Sequence, residues 1–248
     1  MVSKSQIKLI TSLGQKKART KNRLFIVEGI KGISEILASN YELDSLYTTK
    51  EIFDLPASKI NMVNEADLKK ISNLKTPQTA VALFKIPDVK SLDLNGLIIA
   101  LDGVRDPGNL GTIIRLCDWF GVKTLLCSKD TVDCYNPKVV QASMGSITRV
   151  QVVYLDLPTV IKDNPEIPIM GTFLEGENLY ETNSPSNVIL VLGNEANGIS
   201  KELEQLVSIK LNIPHFGDSQ KTESLNVATA TAVFLGEFRR RELLKSKV

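Results

Sequence analysis

Six short apolar segments, separated by polar and helix-forming stretches, constrain the fold of residues 96–248 more than any other feature. In chain order they are LIIALD, KTLLCS, RVQVVYL, PIMGTFL, NVILVLG and VSIKLNI. Segments without alternating polar positions are typical of strands that are buried on both faces of a sheet. We predict helices after the first, second, third and fifth strands, and a last helix over about residues 225–244. The predicted fold class is therefore α/β, with a parallel sheet covered by helices on both faces.

A smaller α/β block precedes these segments. Its candidate strands LFIV, DSLYTT, KINMV and AVALFK alternate with two helical patterns, GIKGISEILASN and EADLKKISNL. Residues 86–95 are polar, contain one proline and lack a helical period, so we predict a linker there. The chain is thus expected to form two domains, one over residues 1–85 and one over residues 96–248.

Both ends of the chain are basic, although the net charge is only +2. Residues 1–23 carry seven lysines and arginines and no acidic residue. A second basic cluster closes the chain, with Arg239, Arg240, Arg241, Lys245 and Lys247. Basic clusters on a nearly neutral protein favour an anionic partner such as RNA or DNA, with solvated termini as the alternative.

Several classes of site are excluded by the residues present. The sequence contains no P-loop, no G-x-G-x-x-G and no G-x-S-x-G pattern. The single histidine, His215, follows a proline and is predicted to be a loop residue, so we expect no metal site. Cys117 and Cys127 lie in apolar segments and are predicted to be buried free thiols. Because no signal-type apolar core and no membrane-length apolar run is present, we expect a cytoplasmic protein.

Three polar loops follow predicted strands, at the sheet edge where open parallel sheets bind their ligands. We call them the first, second and third site loops, and they cover residues 102–111, 193–200 and 213–233. Each loop alone could be a turn with a helix cap, since Asn109 and Ser224 suit N-caps and Gly193 suits a turn. That interpretation explains less well why Glu195 and Asn197 lie between two glycines.

The site loops carry D-x-V-x-D-P-x-N-L-G-x-x-x-R, then L-G-N-E-x-x-G, then I-P followed by S-L-N-V. In this order and spacing, over residues 97–244, they resemble the motifs of the SpoU/TrmH-type RNA 2′-O-ribose methyltransferases of the SPOUT superfamily. The resemblance implies a trefoil knot in the C-terminal domain, which the strand pattern alone does not indicate. Through KKARTKNRLFIVEG, the N-terminal block is similar to the small ribosomal-protein-like RNA-binding domain of many members. We therefore predict an RNA-binding domain over 1–85, a linker over 86–95 and a methyltransferase domain over 96–248.

The resemblance also implies a cofactor, S-adenosyl-L-methionine, and roles for individual residues. The implied cofactor contacts are Gly193, Ile213, Leu225, Thr172 and Leu192. The implied reacting site consists of Arg115, Asn109, Glu195, Ser224 and Asn226. The implied RNA contacts are Lys16, Lys17, Arg19, Lys21 and Arg23. A ribose 2′-hydroxyl held by the first site loop would attack the sulfonium methyl group directly, without a metal or a covalent intermediate.

Arg115 lies one helical turn beyond Gly111, on the same face of the predicted helix. A guanidinium stays protonated, with a pKa above ~12, so it is poorly suited to accept a proton. We predict instead that Arg115 grips the phosphate beside the target ribose, and that Glu195 or solvent takes the hydroxyl proton.

The resemblance further implies ribosomal RNA as the substrate and a homodimer as the assembly. The alternatives are a tRNA substrate, a catalytically silent RNA-binding paralogue, and an α/β enzyme for a small anionic metabolite. Small residues in the last helix would permit close approach of a second helix, with packing on its own sheet as the alternative; they are Ala228, Ala230, Ala232 and Gly236. Residues 218–223 make the third site loop longer than in many members, which bears on substrate fit.

Overall fold

The computed structural model describes residues 2–88, 91–183, 185–217 and 224–245. By their contacts, the residues form two compact units. The first unit is Met1–Lys90 with Asp133–Thr148, and the second is Ser91–Val132 with Arg149–Val248. Residues 133–148 therefore belong to the first unit, although they lie inside the span predicted for the second domain. The domain limits at residues 85 and 96 stay a prediction.

The first unit is built on a four-stranded sheet. Its elements before residue 90 are α1 (Lys4–Ser12), α2 (Lys16–Asn22), β1 (Leu24–Glu28), α3 (Ile30–Leu37), β2 (Leu43–Thr48), β3 (Ile60–Met62), α4 (Glu65–Ile71) and β4 (Ala80–Lys85). The strand order is β1-β4-β2-β3, with β4 antiparallel to both of its neighbours. Ile10, Leu13, Ile26 and Val81 belong to one buried cluster between the helices and the sheet. The four strands and two amphipathic helices predicted for this block are confirmed.

The second unit is built on a six-stranded parallel sheet. Along the rest of the chain the elements are β5 (Leu97–Leu101), α5 (Pro107–Trp119), β6 (Thr124–Cys127), α6 (Pro137–Ser143, in the first unit), β7 (Gln151–Tyr154), α7 (Leu157–Lys162), β8 (Ile169–Asn178), β9 (Val188–Leu192), α8 (Lys201–Glu204), β10 (Ile209–Asn212) and α9 (Val227–Lys245). The strand order is β10-β8-β9-β5-β6-β7, and every neighbouring pair is parallel. The predicted parallel sheet is confirmed with all six of its strands.

The sheet order decides where the site loops begin. Strands β5 and β9 are neighbours, and their last residues, Leu101 and Leu192, are paired in register. The first and second site loops therefore leave the sheet side by side. The third site loop leaves β10 at the sheet edge and leads to α9, which packs against α5.

The caps of α5 and α9 differ from the candidates that the residue types suggested. Asp106 is the N-cap of α5, and its side chain accepts a hydrogen bond from the Asn109 N–H at 2.8 Å. At the start of α9, the side-chain oxygen of Asn226 accepts from the N–H groups of Ala228 and Thr229. Asn109 and Ser224 are not the caps, which leaves the Asn109 side chain available for other contacts.

Three further expectations concern burial, membranes and the knot. Cys117 and Cys127 are buried outside any disulfide, as predicted, and so is Cys134; burial raises the pKa of the Cys117 thiol. In the ranges that the structure describes, no helix combines the length and the hydropathy needed to cross a bilayer. The trefoil knot stays a prediction. The extended segment 218–223 lies outside the described residues.

Candidate active site

A chain of side-chain hydrogen bonds joins one residue from each of the three site loops. Asn109 Nδ2 donates to Glu195 Oε1 at 2.6 Å, and Asn226 Nδ2 donates to Asn109 Oδ1 at 2.9 Å. Asn226 is itself fixed, because its Oδ1 accepts from the first N–H groups of α9 at 3.0 and 3.2 Å. Three of the five residues assigned to the reacting site from the sequence are thus in direct contact.

The second site loop is a tight turn that presents Glu195 at its tip. Asn194 and Gly198 exchange two main-chain hydrogen bonds of 2.9 Å each. Asn194 Oδ1 accepts from the N–H groups of Ala196 and Asn197, at 2.9 and 3.1 Å. Gly198 has a φ of +67°, a left-handed conformation that glycine adopts without strain. The placement of Glu195 and an amide between two glycines follows from this turn.

Gly193 is required by the turn itself. A Cβ atom at this position would lie 2.2 Å from the carbonyl carbon of Gly198 and 2.3 Å from the nitrogen of Ile199. We expected the glycine to allow a close approach of the cofactor, but the protein's own main chain already explains it. A bulky substitution at Gly193 would therefore disturb the loop before it could report on ligand binding.

Main-chain and side-chain bonds hold the second site loop against the first. Asn194 Nδ2 donates to the carbonyl oxygen of Gly103 at 2.7 Å. At the other end of the loop, the Ser200 N–H donates to Asp102 Oδ2 at 2.7 Å. Gly103 is held in turn by Ser128, whose Oγ accepts from the Gly103 N–H at 2.9 Å.

Sequence reasoning gave no role to Asp102, Asn194 or Ser128, although the first two lie within the quoted motifs. The available signal was their position, since each is the first or second polar residue after a buried strand at the edge that carries the site. Asx side chains at such positions commonly accept hydrogen bonds from main-chain groups of the following turn.

Arg115 is exposed on α5, four residues after the buried Gly111. Within the described ranges its side chain makes no hydrogen bond and no ion pair. Its guanidinium is therefore available to an anionic ligand. Ser224, the fifth residue of the implied reacting site, is exposed just before α9.

The five implied cofactor residues differ in exposure. Leu225 is 49 % exposed, whereas Ile213, Thr172 and Gly193 are half-buried. Leu192 is buried, so only its main chain could reach a ligand, and its carbonyl oxygen accepts from the Asp102 N–H at 2.9 Å. An apolar surface next to the site is thus incompletely covered.

The N-terminal basic residues are not equivalent. Lys16, Lys17, Lys21 and Arg23 are exposed. Arg23 donates to Asp88 Oδ1 at 2.6 Å and to the carbonyl oxygen of Ile86 at 2.9 Å.

Arg19, by contrast, is only 2 % exposed. Its Nε donates to Asp133 Oδ2 at 2.8 Å, and one terminal nitrogen donates to the Leu13 carbonyl at 2.8 Å. The interpretation of Arg19 as an RNA contact is therefore wrong, because the guanidinium is committed inside the first unit.

The arginines of the C-terminal basic cluster are committed as well. Glu237, a buried carboxylate of α9, accepts from Arg240 at 2.7 and 2.8 Å and from Arg241 at 2.6 Å. Hydrogen bonds from these arginines lower the pKa of Glu237 to about 2. Arg239 donates to the carbonyl oxygen of Phe120 at 2.6 Å and to Glu242 at 2.6 Å. These three arginines are paired within the protein's own structure, and Lys247 lies outside the described residues.

Comparisons with known proteins agree with this geometry. The model of the SpoU rRNA methylase family matches residues 96–236, more than half of the chain, and the model of the MRM3-like substrate binding domain matches residues 4–82. The chain is 30% identical over 234 residues to the 23S rRNA (guanosine(2553)-2′-O)-methyltransferase RlmP of Bacillus subtilis, covering 92% of this chain and 93% of that protein.

Two solved structures resemble the whole chain. One is a TrmH-family protein from Porphyromonas gingivalis, with 40% identity, a TM-score of 0.89, and coverage of 97% of this chain and 99% of that one. The other is the AdoMet-bound rRNA methyltransferase from Sinorhizobium meliloti, with 28% identity, a TM-score of 0.85 and coverage of 97% of both chains.

Proposed function

The chain belongs to the SpoU rRNA methylase family, and from that premise we propose that it transfers the methyl group of S-adenosyl-L-methionine to a ribose 2′-hydroxyl of ribosomal RNA. The observation that carries this proposal is the contact of Glu195, Asn109 and Asn226, which unites the three motif loops. The family membership expected from the motifs is confirmed.

The five implied cofactor residues fit S-adenosyl-L-methionine, the cofactor in the Sinorhizobium meliloti structure. Leu225, Ile213 and Thr172 retain uncovered surface that could pack against an adenosine group, and Gly193 and Leu192 offer main-chain groups. When bound, the cofactor supplies a methyl group on a positively charged sulfur, which an oxygen nucleophile can attack. No metal is needed for that displacement.

The protein would align the ribose hydroxyl with the methyl group and would accept the proton that the hydroxyl loses. Arg115 would grip the phosphate next to the target ribose, because a guanidinium fork matches a phosphate and this one is not engaged elsewhere in the described ranges. Glu195 would accept the hydroxyl proton, while Asn109, which is itself held by Asn226, keeps the carboxylate in place. Ser224, exposed two residues before Asn226 in the chain, would hydrogen-bond the ribose. Fixed geometry of this kind supplies much of the acceleration of a direct displacement.

RNA phosphates would be contacted by four exposed N-terminal residues, Lys16, Lys17, Lys21 and Arg23. They lie within the segment that matches the substrate-binding family model. Arg19 is left out of this set because its guanidinium is buried and bonded to Asp133.

Ribosomal RNA is favoured over tRNA as the substrate because the Bacillus subtilis and Sinorhizobium meliloti relatives, which match more than 90% of the chain, are named as rRNA methyltransferases. Arg115, Glu195 and Asn226 are all present, which argues against a catalytically silent paralogue. We propose the cytoplasm as the compartment, since S-adenosyl-L-methionine and bacterial-type rRNA are available there.

A homodimer is the assembly we propose, although the reason differs from the sequence argument. The small residues of α9 are partly used within the chain, since Ala228 is buried and Gly236 faces Phe120 of α5. An uncovered apolar surface lies near the ends of α5 and α9. There Trp119 is 83 % exposed and Leu243 is 64 % exposed, and both line a cleft of about 410 Å³. A second copy would cover this surface. Sedimentation at micromolar concentration should show a dimer, and a Trp119→Glu variant should shift it to a monomer.

The function is tested by incubating the protein with methyl-labelled S-adenosyl-L-methionine and either ribosomal subunits, deproteinised rRNA or tRNA. We expect label in rRNA that resists alkaline hydrolysis, because a 2′-O-methyl group removes the nucleophile of that cleavage. Label in tRNA alone would show that tRNA, the alternative stated above, is the substrate. RNA retention without any label would identify a silent paralogue.

A further inference from the structure

We propose that Asn194 is a positioning residue, which holds Glu195 for proton transfer by clasping the second site loop to the first. The inference rests on the proposed methyl transfer and assigns a role to a side chain that does not itself touch the reacting atoms. It comes from the two different bonds that one carboxamide makes.

The oxygen of the Asn194 carboxamide shapes the turn that carries Glu195. It accepts from the N–H groups of Ala196 and Asn197 at 2.9 and 3.1 Å. An aspartate at this position would keep both contacts, since a carboxylate oxygen accepts in the same way.

The nitrogen of the same carboxamide reaches a different loop. It donates to the carbonyl oxygen of Gly103 at 2.7 Å. Gly103 is a firm anchor because its own N–H donates to Ser128 Oγ at 2.9 Å, and Ser128 donates to Asp130 Oδ1 at 2.6 Å. Neither alanine nor ionised aspartate can make the clasp, and aspartate would turn a second oxygen toward the Gly103 carbonyl.

The clasp matters because, beyond the end of β9, only two other hydrogen bonds among the described residues join the second site loop to the first. Ser200 is bound to Asp102 at 2.7 Å, and the tip is held through the Glu195–Asn109 bond at 2.6 Å. Losing the bond beside Glu195 leaves the carboxylate on a turn that can pivot about Ser200. A misplacement of about 1 Å in a reacting group can cost on the order of 100-fold in rate.

Two variants separate the clasp from the turn. Asn194→Ala removes both contacts, whereas Asn194→Asp removes only the clasp. Asn178→Ala is the matched control, because Asn178 also ends a strand of the second unit and accepts from the Tyr180 N–H at 3.0 Å, but donates to Glu181 within its own turn. The three variants and wild type would be compared in steady-state and single-turnover methyl transfer, cofactor titration and thermal unfolding.

We expect kcat to fall about 10- to 100-fold in both Asn194 variants, with the KM for RNA and the Kd for S-adenosyl-L-methionine within about threefold of wild type. Asn178→Ala should keep its kcat while losing a comparable amount of thermal stability. Wild-type kcat in Asn194→Asp would overturn the proposal, because it would show that shaping the turn is sufficient. A loss confined to cofactor affinity would overturn it as well.

Amide hydrogen exchange tests the clasp without any substrate. The peptide covering residues 193–200 should exchange about three- to tenfold faster in Asn194→Asp than in wild type, and unchanged in Asn178→Ala. Unchanged exchange in Asn194→Asp would overturn the clasp even in an active enzyme. If wild type methylates no RNA, the proposed function fails, while the exchange rates still decide whether Asn194 fastens the loop.

Discussion

Helices α5 and α9 pack against each other, yet they use arginine in opposite ways. Arg115 of α5 is exposed and makes no hydrogen bond or ion pair with any part of the chain that the structure describes. On α9, Arg240 and Arg241 bind Glu237, and Arg239 binds Glu242 and a carbonyl oxygen at the end of α5. A positive charge is most available to a ligand where the protein has not already paired it, as at Arg115.

The N-terminal segment shows the same difference between paired and exposed basic residues, within a few positions. Arg19 is buried against Asp133, whereas Lys17 and Lys21 on the same short helix are exposed. The guanidinium fork suits internal acceptors such as carboxylates and carbonyl oxygens, whereas an exposed ammonium remains hydrated and can exchange water for phosphate. The following predictions test whether Arg115 and the exposed N-terminal lysines serve RNA, and whether the paired residues of α9 serve stability.

The largest effect is expected at Arg115. Arg115→Ala should slow methyl transfer at least ~100-fold, the scale of one lost positioning group, while leaving S-adenosyl-L-methionine affinity and unfolding unchanged. Single-turnover assays with rRNA and calorimetric titration of the cofactor measure the two quantities. Near-normal turnover would show that Arg115 takes no part in methyl transfer. The proposed difference in role between Arg115 and the arginines of α9 would then be wrong.

Replacement by lysine sharpens the role of Arg115. Arg115→Lys keeps the charge but loses the bidentate geometry, so a phosphate grip predicts partial activity. Were the arginine the proton acceptor, the lysine variant would be as inactive as alanine at neutral pH and would recover as the pH is raised.

Substitution of the carboxylate on α9 should affect stability instead. Glu237→Gln leaves Arg241, 13 % exposed at its side chain, without its charged partner, and should lower the free energy of unfolding by about 3 kcal/mol. Urea denaturation measures the loss, and methyl transfer per folded molecule should not change. Glu242→Gln, whose carboxylate is about half exposed, is the control and should cost less than about 1 kcal/mol.

The same carboxylate predicts an acid dependence. The pKa of Glu237 falls from an ordinary value of 4.5 to about 2, chiefly because Arg240 and Arg241 donate hydrogen bonds to it. Its contribution to stability is therefore complete above about pH 5 and is lost as the pH falls toward 2. Wild type and Glu237→Gln should differ in stability at pH 6 and converge near pH 2. A constant difference across that range would contradict the assignment.

A smaller effect is expected from the N-terminal lysines. Replacing Lys16, Lys17 and Lys21 together by alanine should weaken RNA binding about tenfold at moderate salt and reduce the slope of log K against log[salt] by roughly 2. Filter binding over a salt series measures both. The free energy of unfolding should stay within about 0.5 kcal/mol of wild type.

The smallest effect is expected for Arg240, whose side chain is 55 % exposed although it binds Glu237. Arg240→Ala should cost less than about 1 kcal/mol of stability and leave both RNA affinity and its salt slope unchanged. A clear fall in the salt slope would show that the C-terminal cluster also contacts RNA, and would break the contrast between the two ends.

Most of the second unit's sheet could be predicted because its strands are apolar throughout and burial on both faces leaves little choice of position. The three site loops were also predictable, since each follows such a strand and carries a motif. That Glu195, Asn109 and Asn226 meet follows from β5 and β9 being neighbours and from α9 returning to α5.

Partners of side chains were much less predictable, because they depend on residues far away in the chain. Arg19 is paired with Asp133, 114 positions later, in a segment that the sequence assigned to the other domain. The reason for Gly193 was also missed, since the obstructing atoms belong to Gly198 and Ile199 and appear only once the turn is closed. Residue type indicates what a side chain can bind, but not whether that capacity is already used.

The hydrogen bonds from α9 to Glu195 also have a direction. The N–H groups at the helix start orient Asn226, Asn226 orients Asn109, and Asn109 points an N–H at Glu195 Oε1. Neither amide can turn over without placing two donors or two acceptors face to face. In the proposed mechanism the incoming proton would therefore go to Oε2, because Oε1 already accepts from Asn109, and the start of α9 would determine which carboxylate oxygen is the base.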